Sequence, residues 1–150
     1  MSRAATMLEQ YPAEVNVDRR LLAEAIDAAL ECFQSCTACA DACLSEQDVA
    51  AMTRCIRDNL DCADICATTV NVLSRHTGYD ATLTRAQLHA CIQACRTCGD
   101  SCAEHAEHMA HCATCAESCR SCEQTCQALL DAIGGGGDAP SSPQAAAPQS

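Results

Sequence analysis

Apolar and small residues recur along most of the chain in steps of three, four and seven, the period of an α-helix with one buried face. Alternating apolar and polar segments are missing, as are long β-branched runs, so the pattern predicts no strands. Residues 4–10 are expected to form a short helix that stops before Tyr11-Pro12, because a residue preceding proline avoids the α region. A first long helix is expected from about Asn16 or Asp18, both suitable N-caps, to about Leu44. A polar break at 45–48 leads into a second helix over roughly 48–75. The clearest turn is HTGYD at 76–80, with Gly78 just past the helix end. A third helix should follow Thr82 or Thr84, and a fourth must end by Ile133, because the glycine run starting at Gly134 cannot sustain it. The chain therefore reads as all-α: an N-terminal extension over 1–15, one domain over 16–133, and a disordered Gly/Ala/Pro/Ser tail over 134–150.

Composition changes this picture at one point, the identity of the buried face. Apolar residues make up 49% of the 150 positions, but that share is inflated by Ala and by 16 Cys, while the aromatics are only Phe33, Tyr11 and Tyr79. Large side chains are too few for an ordinary core, and free Cys packs like a small hydrophobe. The cysteines fall in four groups, one per long helix. These are Cys32, Cys36, Cys39 and Cys43; Cys55, Cys62 and Cys66; Cys91, Cys95, Cys98 and Cys102; and Cys112, Cys115, Cys119, Cys122 and Cys126. Steps of 3, 4 or 7 within each group place every member on one helix face, at coiled-coil seam positions.

Turns near Ser45-Glu46, Gly78 and His108-Met109 stack these stripes into consistent layers. One layer holds Cys36, Cys55, Cys102 and Cys115; the next holds Cys32, Asn59, Cys98 and Cys119. Below them come Ala29, Cys62, Cys95 and Cys122, then Ala25, Cys66, Cys91 and Cys126. Three independent turns giving one stack predicts an antiparallel up-down-up-down four-helix bundle with a cysteine-lined core. Beyond the lowest layer the stripes continue into Leu22, Val70, Leu73, Leu88, Leu129, Leu130 and Ile133, a hydrophobic plug. At the other end they reach Met52, His105, His108, Met109 and His111, soft donors that suggest a mouth.

A net charge of −11 argues against nucleic acid and anionic membrane surfaces as partners. No apolar stretch approaches the roughly 20 residues that span a bilayer. Arg19-Arg20 superficially resembles a twin-arginine signal, but Glu24 and Asp27 interrupt the segment that follows, so the expected location is cytoplasmic, where thiols stay reduced. Disulfides are disfavoured there, and cysteines three or four apart on one helix point the same way. The C-x₂-C pairs sit mid-helix with no preceding strand, unlike a thioredoxin-type motif. The order C-x₃-C-x₂-C-x₃-C without a following Pro departs from both zinc and ferredoxin spacings. Thiolate softness selects Cu(I), which accepts two ligands in a near-linear array, and a C-x₃-C pair spans about the required distance. One Cu(I) per bridging thiolate leaves the bore neutral, whereas Zn²⁺ on four thiolates leaves a buried double negative charge at every site.

The stretches CFQSCTACADACL at 32–44, DCADIC at 61–66 and HCATCAESCRSCEQTC at 111–126 carry a further likeness. Over roughly residues 4–133 the chain resembles the bacterial copper storage proteins, in their cytosolic branch. That resemblance implies a four-helix bundle holding many Cu(I) ions on pairs of thiolates, copper entering at the His-containing end, and a homo-oligomer, commonly a homotetramer. Leu22, Ala25 and Ala29 occupy first-stripe positions where a richer relative carries more thiols. The expected function is storage of about one copper per cysteine; the alternatives are a copper chaperone or a zinc or iron–sulfur protein. His89 is expected to be solvated, and His76 to lie at a helix C-terminus that favours its protonated form. No motif for hydrolysis or group transfer is present, so the reading is of a binding protein and not an enzyme.

Overall fold

A computed structural model describes residues 1–134, and among these every regular element is helical. The elements are α1 (Arg3–Glu9), α2 (Arg19–Leu44), a 3₁₀ turn (Val49–Met52), α3 (Thr53–Leu73), α4 (Ala81–Ala103) and α5 (Ala110–Gly134). The expected tail lies outside the described residues, apart from the Gly134 backbone that closes α5.

The helix starts follow from side-chain caps. Asp18 Oδ1 accepts from the Leu21 N–H at 2.9 Å, and Asp80 Oδ1 accepts from the Leu83 N–H at 3.1 Å. Asp80 therefore begins α4 slightly before the threonines from which the sequence pattern would start it. Asp48 also caps, through the Ala51 N–H at 3.3 Å, but what it caps is the 3₁₀ turn, and α3 proper begins five residues later than expected. The tighter coil lets the connection from α2 turn inward and bury Met52, which is 1% exposed. Gly78 takes the left-handed conformation the turn requires, at φ 65°.

α2 packs against α3 and α5, and α4 packs against the same two, which closes an antiparallel ring in up-down-up-down order. Cysteine supplies most of the interior; the lower end is sealed by Leu22, Leu73, Leu88 and Leu129, all buried, as the plug predicted. Outside the ring, Arg120 on α5 reaches Asp100 on α4 at 2.6 Å, and Arg96 on α4 reaches Glu123 on α5 at 2.9 Å. The Arg120 guanidinium lies over Gly99, 2.8 Å from where a Cβ would stand. Only glycine permits that approach.

The N-terminal extension is docked, not free. Leu8 is buried against α2, Tyr11 Oη shares a hydrogen bond with Thr77 Oγ1 at 3.0 Å, and the Tyr11 ring meets His76 edge-on at 5.2 Å. This packing corrects the expectation for His76: burial, aided by the charge of Arg19, lowers its pKa, so the neutral ring is favoured despite the nearby helix end. His89 is exposed, as expected.

Candidate metal centre

All sixteen cysteines are unbridged and at most 2% exposed. Heptad-like spacing puts each stripe on the concave side of its helix, and the antiparallel register brings the stripes into contact. Across the bore, Sγ–Sγ distances are 3.9 Å for Cys66–Cys91, 3.8 Å for Cys62–Cys95, 3.9 Å for Cys55–Cys102 and 3.7 Å for Cys36–Cys115. Each of these pairs shares a layer in the stack read from the sequence. Neighbouring layers also touch, since Cys32 lies within 3.9 Å of Cys62 and Cys95 as well as of Cys119 in its own layer. Groups such as Cys32, Cys36, Cys62 and Cys119, or Cys36, Cys98, Cys115 and Cys119, keep their sulfurs within 4.8 Å of one another.

The spacing decides what these sulfurs can do. Along one helix, Cys32–Cys36 is 3.7 Å, while Cys62–Cys66 and Cys122–Cys126 are each 3.9 Å. With a metal–sulfur bond of about 2.3 Å, a linear S–M–S unit spans about 4.6 Å and a trigonal edge about 4.0 Å. A C-x₃-C pair must therefore open slightly, by side-chain rotation, to hold a linear ion. Shared, bridging thiolates are almost in place. Two of the sulfurs hold their protons firmly in the metal-free protein: burial raises the Cys112 pKa from its ordinary 9.0 to about 12, and thiol contacts with Cys122 and Cys91, together with burial, push Cys126 upward. An arriving soft cation exchanges for protons.

Asn59 occupies a stripe position between Cys55 and Cys62 and is fully buried. Its Nδ2 donates to the Cys55 carbonyl at 2.8 Å, and its Oδ1 accepts from the thiols of Cys115 at 3.0 Å and Cys98 at 3.3 Å. The sequence reading placed this residue in its layer but assigned it no role; a polar side chain at a core position was the available signal.

At the mouth, Cys39 Sγ lies 3.9 Å from Cys112 Sγ, and His111 Nδ1 lies 3.4 Å from the first and 3.6 Å from the second. The other ring nitrogen, Nε2, is 2.8 Å from Glu46 Oε2. Cys43 completes a group of four donors with Cys39, Cys112 and His111, all within 4.8 Å of one another. The sequence collected Met52, His105, His108, Met109 and His111 at this end, and the imidazole set against Cys39 and Cys112 is that of His111. Met52 is buried, Met109 packs partly buried against the core, His105 is half-buried and His108 is exposed. Glu46 was missed, having been read only as part of a polar break.

Residues 18–131 match the family model for the copper storage protein. A copper storage protein from Streptomyces lividans, solved loaded with 10 copper equivalents, is 57% identical; the alignment covers 86% of this chain and 98% of that one, with a TM-score of 0.85. A cytosolic copper storage protein from the same organism, solved with five coppers, is 60% identical over 74% of this chain and 92% of its own, with a TM-score of 0.73. The cysteine-rich protein YhjQ of Bacillus subtilis is 31% identical over 80 residues, 53% of this chain and 70% of that protein.

Proposed function

The chain belongs to the copper storage protein family, and we propose that it stores many Cu(I) ions on the thiolates of its bore, as a cytosolic reserve. The observation that carries this reading is the continuous contact of sulfurs at 3.7–3.9 Å through a closed helical core. Such an interior offers soft, bridging donors in numbers far beyond those of a single-site carrier. Homologues solved with five coppers and with 10 copper equivalents support the same use of this architecture. We assign the sixteen cysteines as the storage ligands and His111 as the imidazole that meets copper first. Met52, His105, His108 and Met109 we place around the same entry, His108 exposed at its rim and Met52 buried within. Binding and release, with no bond-making on a substrate, are the chemistry these donors support. By family resemblance the working assembly is a homotetramer, which light scattering on the purified chain tests directly.

Anaerobic addition of Cu(I) to reduced protein, followed by gel filtration and metal analysis, decides the main point. Uptake should reach roughly one ion per cysteine. Saturation at one or two ions would indicate a chaperone, and stronger overall retention of zinc than of Cu(I) in competition would indicate a different metal.

A further inference from the structure

The mouth differs from the rest of the bore in donor set, charge and exposure. Cys39, Cys43 and Cys112 with His111 make a three-sulfur, one-nitrogen group, whereas the deeper groups consist of cysteine. Zn²⁺ takes Cys₃His in tetrahedral geometry, with bonds of about 2.3 Å to sulfur and about 2.0–2.1 Å to nitrogen. Those bonds set tetrahedral edges of about 3.8 Å between sulfurs and about 3.6 Å from sulfur to nitrogen. The measured edges are 3.9 Å for Cys39–Cys112, 3.4 Å for Cys39–His111 and 3.6 Å for Cys112–His111. The nitrogen turned towards the sulfurs is Nδ1, while Nε2 is held by the Glu46 carboxylate at 2.8 Å. A carboxylate behind a metal-binding imidazole fixes the ring and the tautomer that leaves the facing nitrogen free to coordinate.

We propose that the mouth quartet of Cys39, Cys43, Cys112 and His111 is a Zn²⁺ site in the copper-free protein, with Glu46 as its positioning residue. The objection that excludes zinc from the deep bore is weaker here. Three thiolates leave one net negative charge, not two, and the His111 and Glu46 side chains are 27% and 32% exposed, so water screens it. Cys39 and Cys43 come from the end of α2, and His111 and Cys112 from the start of α5. A bound zinc pins these helices together over the opening. Cu(I), the softer ion, displaces it when copper arrives. The zinc site is defined by its own four donors, so it stands or falls separately from copper storage.

The test uses reduced, metal-free, full-length chain kept anaerobic. A several-fold excess of Zn²⁺ is added, the protein is desalted and its metal measured, and Co²⁺ is used in parallel as a coloured substitute. One zinc per chain should be retained, and cobalt should give the intense visible bands of a tetrahedral, sulfur-rich site. Glu46→Gln should weaken zinc binding 10–100-fold. His111→Ala and Cys43→Ser should weaken it at least as much and change the cobalt spectrum, whereas Leu129→Ala, which loosens the opposite end, should keep the zinc. Failure to retain zinc, retention of several ions per chain, or a cobalt spectrum indifferent to His111→Ala would overturn the proposal. Cu(I) capacity measured on the same preparations shows separately whether storage holds.

Discussion

Asn59 sets a polar amide where its helix neighbours on the stripe are thiols, and its environment explains how that is tolerated. Both ends of the amide find partners within the bore, so no polar atom of this side chain is buried alone. Asn59→Ala removes those contacts and opens a void among the helices. Urea unfolding of the reduced, metal-free protein should show a loss of about 1–3 kcal/mol; an unchanged midpoint would mean the amide–thiol contacts contribute nothing. The histidines are a second matter at this scale. Sequence alone collected His105, His108 and His111 at one end, because all three fall near one turn. It could not rank them, since the ranking depends on where the chain leaves α4 and re-enters α5. With His111 alone against the thiols, His111→Ala should slow Cu(I) loading several-fold more than His105→Ala or His108→Ala. Stopped-flow loading curves would show it, and equal effects from all three would spread the role across the mouth.

The elements were legible wherever a periodic stripe met a capping residue. Asp18 marked a helix start, the glycines after Ile133 marked an end, and the spacing of sixteen cysteines gave the register of four helices, whereas the start of α4 at Asp80 was hidden inside what reads as a turn. The 3₁₀ turn was not legible, because Asp48 caps a tight turn with the same side-chain geometry that caps an α-helix. The docking of α1 was equally hidden, resting on Leu8 and on the contacts of Tyr11 with a loop some 66 residues away in sequence. The plug makes a prediction that belongs to helix packing. Leu129 is fully buried at the foot of α5, so Leu129→Ala should cost about 2–5 kcal/mol of stability in thermal or urea unfolding while leaving copper capacity near that of the parent. Loss of capacity in step with stability would mean that plug and store are one cooperative unit.

For the whole molecule, a core made largely of thiols ties stability to pH. The folded protein holds Cys112 at a pKa of about 12 against an ordinary 9.0, so between those values the folded state keeps a proton that the unfolded chain gives up. Stability is therefore fully present below about pH 9 and falls as pH rises through that window. The metal-free protein should lose thermal stability progressively as pH rises from about 9 towards 12, while the copper-loaded protein, whose thiolates have already surrendered their protons, should change little. Parallel melting curves measure this, and matching slopes for the two forms would contradict it. The bundle as a whole was readable because its metal chemistry and its core are written in one residue type. The mouth was less so, because His111 and Glu46 come from different turns and meet only once the ring closes.

The sulfurs of the bore already touch, and that contact has a hydrodynamic consequence. Copper does not fill a waiting hollow; each ion replaces protons among atoms packed side by side, adding mass with little girth. The loaded protein should be a denser particle of nearly the same size, its sedimentation coefficient rising while its diffusion coefficient stays almost fixed. A storage vessel of this kind is gauged by buoyancy: a density gradient should resolve empty, part-filled and full molecules as separate bands.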